Sequence, residues 1–226
     1  MFITSIFDTS HALYDAARNL LQSTAQNTTA KPNAIILPGG KTPLPLFKNI
    51  EQVSFPVPDT LYFAYSDERL VPEDSPESNF GISQKMLAAL DVAENHILRV
   101  HPELSLKEAA EQYNFAWREF LNNGGHIPLA FLGIGTDGHT CSLFSATQLD
   151  NTPQECFAAA VPQTEGPDRI TVTPALLARV DHAVILAAGQ EKAQVVDAMT
   201  AEPETVIAGK ALAQCPRVSL WYAPQA

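Results

Sequence analysis

With 226 residues, 46% of them hydrophobic, the chain can bury one sizeable α/β core, and it reads as a single domain over residues 1–226. A formal charge of -11 excludes nucleic acid and anionic membrane as main partners, because both demand concentrated Lys and Arg. The cysteines Cys141, Cys156 and Cys215 lack CxxC spacing, and no run of 18 apolar residues occurs. Reduced thiols and a soluble, cytoplasmic protein are therefore the expectation.

In chain order, residues Ser10 to Ala25 place Ala12, Leu13, Ala16, Ala17, Leu20 and Leu21 at helical spacing, with Ser10 as N-cap. Ala34 to Leu37 reads as a short buried strand, followed at once by Pro38-Gly39-Gly40-Lys41-Thr42-Pro43. That turn has two readings. Thr42 and Pro43 can simply open the next helix. Alternatively, a glycine-rich turn at a helix N-terminus presents N–H groups to an anion.

Thr60 to Ser66 is an aromatic-rich strand ending in Asp67-Glu68-Arg69, read either as a solvated turn with an internal ion pair or as part of a site. A helix over Asn79 to Leu90 and a strand-like run over His96 to Val100 follow. Ser105 and Glu108 form a capping box for a helix to about Asn122, with Gly124 as its stop.

The stretch from Pro128 to Phe144, PLAFLGIGTDGHTCSLF, organises the chain. Its apolar first half fits a strand buried on both faces. Its second half brings Asp137 and His139 to that strand's C-terminal end, where open α/β sheets bind ligands. Phe157 to Val161, Ile170 to Thr173, Ala183 to Ala188 and Val218 to Tyr222 read as further strands. Helices are expected from Pro174, over Ala193 to Thr200, and weakly over Val206 to Leu212. The alternation predicts an α/β fold with a mostly parallel, Rossmann-like sheet flanked by helices on both faces. Strand ends at Gly39 to Thr42, Asp67 to Arg69, Asp137 to His139 and Gly189 to Lys192 should then meet at one edge.

PGGKTPLPLF, SDERLVPEDSPESNF, LGIGTDGHTCSLF and DRITVTPALL with the following GQEKA turn resemble, in order and across most of the chain, the 6-phosphogluconolactonase family. That family is related to glucosamine-6-phosphate deaminases. The resemblance implies hydrolysis of 6-phospho-D-glucono-1,5-lactone to 6-phosphogluconate in the pentose phosphate pathway, with a small sugar phosphate lactone as partner and no cofactor. It also marks departures. Pro38 stands where the family usually has serine, Cys141 replaces a usual alanine, and Phe144 stands where the deaminases carry a glutamate.

Lactone hydrolysis needs a base for water, a stabilised oxyanion and an anchor for the phosphate. His139 suits the base, given the imidazole's ordinary pKa of about 6.5. Asp137 either orients that ring or bonds only to loop amides. By resemblance Arg169 and Lys192 hold the phosphate, completed by Gly39, Gly40 and Thr42; Lys41 either adds charge or faces water. Asp67 and Arg69 either meet the sugar hydroxyls and the oxyanion or pair with each other. Cys141 is assigned to packing, no metal site is expected, and the protein is expected to be a monomer. A deaminase or isomerase on the same fold and a non-catalytic sugar-phosphate sensor are the alternatives.

Overall fold

The computed structural model describes residues 2–28, 30–153 and 155–225. Seven strands form the main sheet: β1 (Phe2–Ile6), β2 (Asn33–Leu37), β3 (Leu61–Tyr65), β5 (Ile97–Leu98), β6 (His126–Gly133), β9 (His182–Ala188) and β10 (Arg217–Ala223). Their spatial order is β1-β10-β9-β6-β2-β3-β5, and every pairing is parallel. From β2 the chain builds outward through β3 to β5, and from β6 it builds the other way through β9 to β10. The β2/β6 boundary is therefore the topological switch point, where such sheets open a crevice at the strands' C-terminal ends.

Both faces of the sheet are covered, for a reason visible in β2. Ala34 and Ile36 point to one core and Ile35 and Leu37 to the other, and all four are fully buried. Ala130 and Leu132 alternate with Leu129 and Phe131 in β6 in the same way. One face carries α1 (Ser10–Gln26), α2 (Leu44–Gln52) and α3 (Asn79–Ala89) through residues such as Leu21, Phe47 and Leu87. The other carries α4 (Leu106–Asn122), α6 (Pro174–Leu177), α7 (Ala193–Ala201) and α8 (Ile207–Ala211) through Trp117, Leu176, Met199 and Ala208. A one-turn helix, α5 (Ala146–Asp150), follows the loop after β6.

Two expectations need correction. Thr9, not Ser10, caps α1, accepting from the Ala12 amide at 3.2 Å. Thr42 caps nothing: α2 starts at Leu44, after Pro43 in a helical conformation, with no side-chain cap. The Ser105–Glu108 capping box of α4 forms as expected, and Gly124 ends that segment at a φ of +80°. The edge strand β1 and a second, three-stranded antiparallel sheet, β4 (Asp67–Arg69), β8 (Arg169–Val172) and β7 (Ala158–Val161), were not foreseen.

His182, opposite Arg217 across the β9/β10 pairing, donates to or accepts from Ser219 Oγ at 2.8 Å. Burial first, and the Arg217 charge second, push its imidazole down to about 4. The unfolded chain takes up that proton near pH 6.5 and the folded one does not, so stability falls as pH drops from about 6.5 toward 4. Thermal denaturation should show this slope, and His182→Gln should flatten it by a few degrees in Tm, about 1 kcal/mol after screening of a half-buried group.

Candidate active site

The switch point holds a cleft lined by Gly39, Gly40, Thr42, Asp67, Arg69, Gly135, His139, Arg169 and Lys192, among others. All four expected strand ends reach it, from β2, β3–β4, β6 and β9. Arg169 arrives from β8 of the small sheet. Lys41 does not line it and is exposed.

On the β6 side, Gly135 makes the site possible. A Cβ there would stand 2.2 Å from both Asp137 Oδ1 and His139 Nδ1, so only glycine lets the loop close over its own side chains. The two side chains meet: His139 Nδ1 lies 2.6 Å from Asp137 Oδ1, and the His139 amide donates to the same oxygen at 3.3 Å. Of the two readings of Asp137, ring orientation and amide bonding, both geometries are present at once. Partial burial works to raise the Asp137 carboxyl, but the His139 ring and amide outweigh it and hold the group below the usual carboxylate range. A carboxylate on Nδ1 fixes the proton there and leaves Nε2 with a free lone pair. The Phe144 ring packs against the imidazole with centroids 4.8 Å apart.

The loop then descends through Cys141, at a φ of +55°, so residues 139–141 form no helix. The packing assignment of Cys141 stands on a different physical basis from helical spacing. Burial, reinforced by the Asp67 charge, pushes its thiol far up, so it stays protonated although it touches the cleft. Ser142 beyond it donates to Asp67 Oδ2 at 2.7 Å, tying the β6 loop to β4.

β4 presents Asp67 and Arg69 to the cleft on one side of its pleat and Glu68 to the α3 side. No Asp67–Arg69 ion pair forms. Asp67 is 5% exposed and accepts from Ser66 Oγ at 3.1 Å as well as from Ser142. The guanidinium within 4 Å of it belongs to Arg169, Nη1 to Oδ2 at 3.9 Å. Arg69 instead donates from Nη1 to Glu77 O and Asn79 Oδ1, both at 2.9 Å.

Glu68 explains why α3 begins where it does. Its carboxylate accepts from the backbone N–H groups of Arg69 at 2.8 Å, Asn79 at 2.7 Å and Phe80 at 2.8 Å, satisfying two orphan donors of the helix's first turn. Burial pushes this carboxyl up to about 7 against those three donors.

Arg69 and Arg169 are directly opposed across the β4/β8 pairing, which sets two like charges on neighbouring strands. The Nε atoms of both are buried without a hydrogen-bond partner. Burial, and then the Arg69 charge, hold the Arg169 guanidinium below its usual range. Such an arrangement is relieved by an anion with several oxygens. Lys192 also lines the cleft, its Nζ donating to Ile134 O at 2.7 Å. The Gly40 amide, by contrast, donates to Asn79 Oδ1 at 3.1 Å, although Gly40 itself lines the cleft. Asn79 and Ser142 were missed altogether, though both lie inside the quoted motifs.

A family model described as glucosamine-6-phosphate isomerases/6-phosphogluconolactonase matches residues 8–217. The chain is 34% identical over 145 residues to 6-phosphogluconolactonase from Homo sapiens, a match covering 62% of this chain and 56% of that protein. It is 31% identical over 159 residues to 6-phosphogluconolactonase from Thermotoga maritima, covering 70% of each. The crystal structure of the Thermotoga maritima 6-phosphogluconolactonase shares the fold at a TM-score of 0.83 and 22% identity, over 99% of this chain and 100% of that one.

Proposed function

The chain belongs to the glucosamine-6-phosphate isomerase/6-phosphogluconolactonase family, and from that premise we propose that it hydrolyses 6-phospho-D-glucono-1,5-lactone to 6-phosphogluconate, the lactone-opening step of the oxidative pentose phosphate pathway. The observation that carries this reading is the His139–Asp137 pair at 2.6 Å in a cleft that Arg69, Arg169 and Lys192 also line.

In this mechanism the free Nε2 of His139 takes a proton from water, and the resulting hydroxide attacks C1 of the lactone. Asp137 stabilises the imidazolium that forms. The bond between C1 and the ring oxygen breaks, His139 returns the proton to that oxygen, and the new carboxylic acid ionises in solvent. Arg169 and Lys192 hold the 6-phosphate, and Arg69, directly opposed to Arg169 across the β4/β8 pairing, adds its charge to that clasp. Asp67, with both oxygens already accepting hydrogen bonds, steadies Arg169 and the β6 loop.

The family description spans deaminating isomerases as well as lactonases. Phe144 favours the lactonase: an apolar ring packs on His139 where the deaminases carry a glutamate. Acid release and product identity test the choice. The purified protein should release one proton per lactone opened and yield the phosphorylated open-chain acid, while glucosamine 6-phosphate should yield no ammonia. Ammonia release without lactone opening would overturn the proposal.

A further inference from the structure

Asn79, the first residue of α3, sits 1% exposed between the glycine-rich loop and β4. Its side chain makes four contacts. Nδ2 donates to Asp67 O at 2.7 Å and reaches Asp67 Oδ1 at 3.5 Å. Oδ1 accepts from the Gly40 amide at 3.1 Å and from Arg69 Nη1 at 2.9 Å. The fit leaves no slack, because a Cβ on Gly39 would lie 2.2 Å from Asn79 Nδ2.

The amide itself is fixed from behind. Glu68 accepts from the Asn79 backbone at 2.7 Å and from Phe80 at 2.8 Å, and Ser78 caps the helix by accepting from the Gly81 amide at 3.0 Å. The Asn79 side chain therefore cannot drift without unmaking the start of α3.

From this geometry we infer that Asn79 is a positioning residue for anion binding: its Oδ1 holds the Arg69 guanidinium off the neighbouring Asp67 carboxylate, in the cleft that Arg169 also lines. Asp67 and Arg69 are two residues apart on one strand, so their side chains share a side of the pleat. Without the Asn79 acceptor, Arg69 Nη1 would turn to Asp67. That would neutralise one of the two opposed cations and release the Gly40 loop. The inference rests on the proposed binding of the substrate's phosphate beside Arg169.

The test pairs kinetics with direct binding of inorganic phosphate, followed by 31P line broadening. Asn79→Ala should raise KM for the phosphorylated lactone, and weaken phosphate binding, by at least about tenfold, the size expected for one lost charge-assisted hydrogen bond. Its kcat should stay within about threefold, a split that a merely structural role would not produce. In an Arg69→Ala background the same change should have no further effect on phosphate, because Asn79 acts through Arg69. Unchanged KM and phosphate affinity overturn the inference, as does a loss that simply adds to that of Arg69→Ala. Should Asn79→Ala fail to fold, Asn79→Asp is read by the same phosphate titration. Its carboxylate would pair with Arg69, so unchanged affinity there is equally fatal. A parent protein that binds phosphate but opens no lactone would sink the functional reading while leaving the role of Asn79 testable.

Discussion

Replacing His139 with alanine should lower lactone turnover by ~10²–10⁴, the usual worth of a positioned acid–base group, with KM little changed. The imidazole acts on water and on the ring oxygen but does not hold the phosphate, so its loss falls on kcat. Asp137→Asn should give a smaller kcat loss in the same direction. An amide at 2.6 Å from Nδ1 can satisfy the neutral ring in either tautomer and no longer balances the imidazolium. Steady-state kinetics, corrected for spontaneous lactone opening, measure both. Full turnover by the His139→Ala protein would remove the imidazole from the mechanism.

The second large effect belongs to the cations. Arg169→Ala or Lys192→Ala should each raise KM for the phosphorylated lactone by roughly 10–10²-fold, as expected for losing hydrogen bonds between charged partners. The double variant should lose most discrimination between phosphorylated and unphosphorylated lactones. The chain carries a formal charge of -11, so attraction of a phosphate dianion depends on these few local charges rather than on the protein's overall field. Arg169→Lys should restore less than half of the binding energy, because a point charge cannot reproduce the guanidinium fork opposite Arg69. KM values unaffected by either substitution would place the phosphate elsewhere.

How much of this was legible in the sequence depends on the range of the interaction. The apolar runs Ala34–Leu37, Leu129–Leu132 and Ala183–Ala187 lie in buried strands because a parallel sheet covered on both faces demands continuous hydrophobicity. The Ser105–Glu108 cap is local and was equally readable. β1 was not: Phe2–Ile6 is a partly exposed edge strand whose identity comes from pairing with β10, more than two hundred residues away. β4 looked like a charged turn for the same reason, since its three residues become a strand only by pairing with β8.

Within the site, the meeting of four strand ends followed from topology, whereas the wiring between them did not. Asp67 and Arg69 look like an ion pair in sequence, but Ser142 and Asn79 intervene from distant segments and separate them. Asn79 reads as an ordinary residue after a serine cap. Its signal was its presence, with Ser78, near the end of the SDERLVPEDSPESNF stretch.

The central claim is that one cleft joins an oriented imidazole to a phosphate clasp. The most direct measurement is the rate of 6-phospho-D-glucono-1,5-lactone opening by the unmodified protein over the enzyme-free rate, run beside unphosphorylated glucono-1,5-lactone at equal concentration. Strong acceleration of the phosphorylated lactone, with kcat/KM for the unphosphorylated one lower by at least about 10²-fold, is the predicted result. Equal acceleration of both lactones, or none of either, would contradict it.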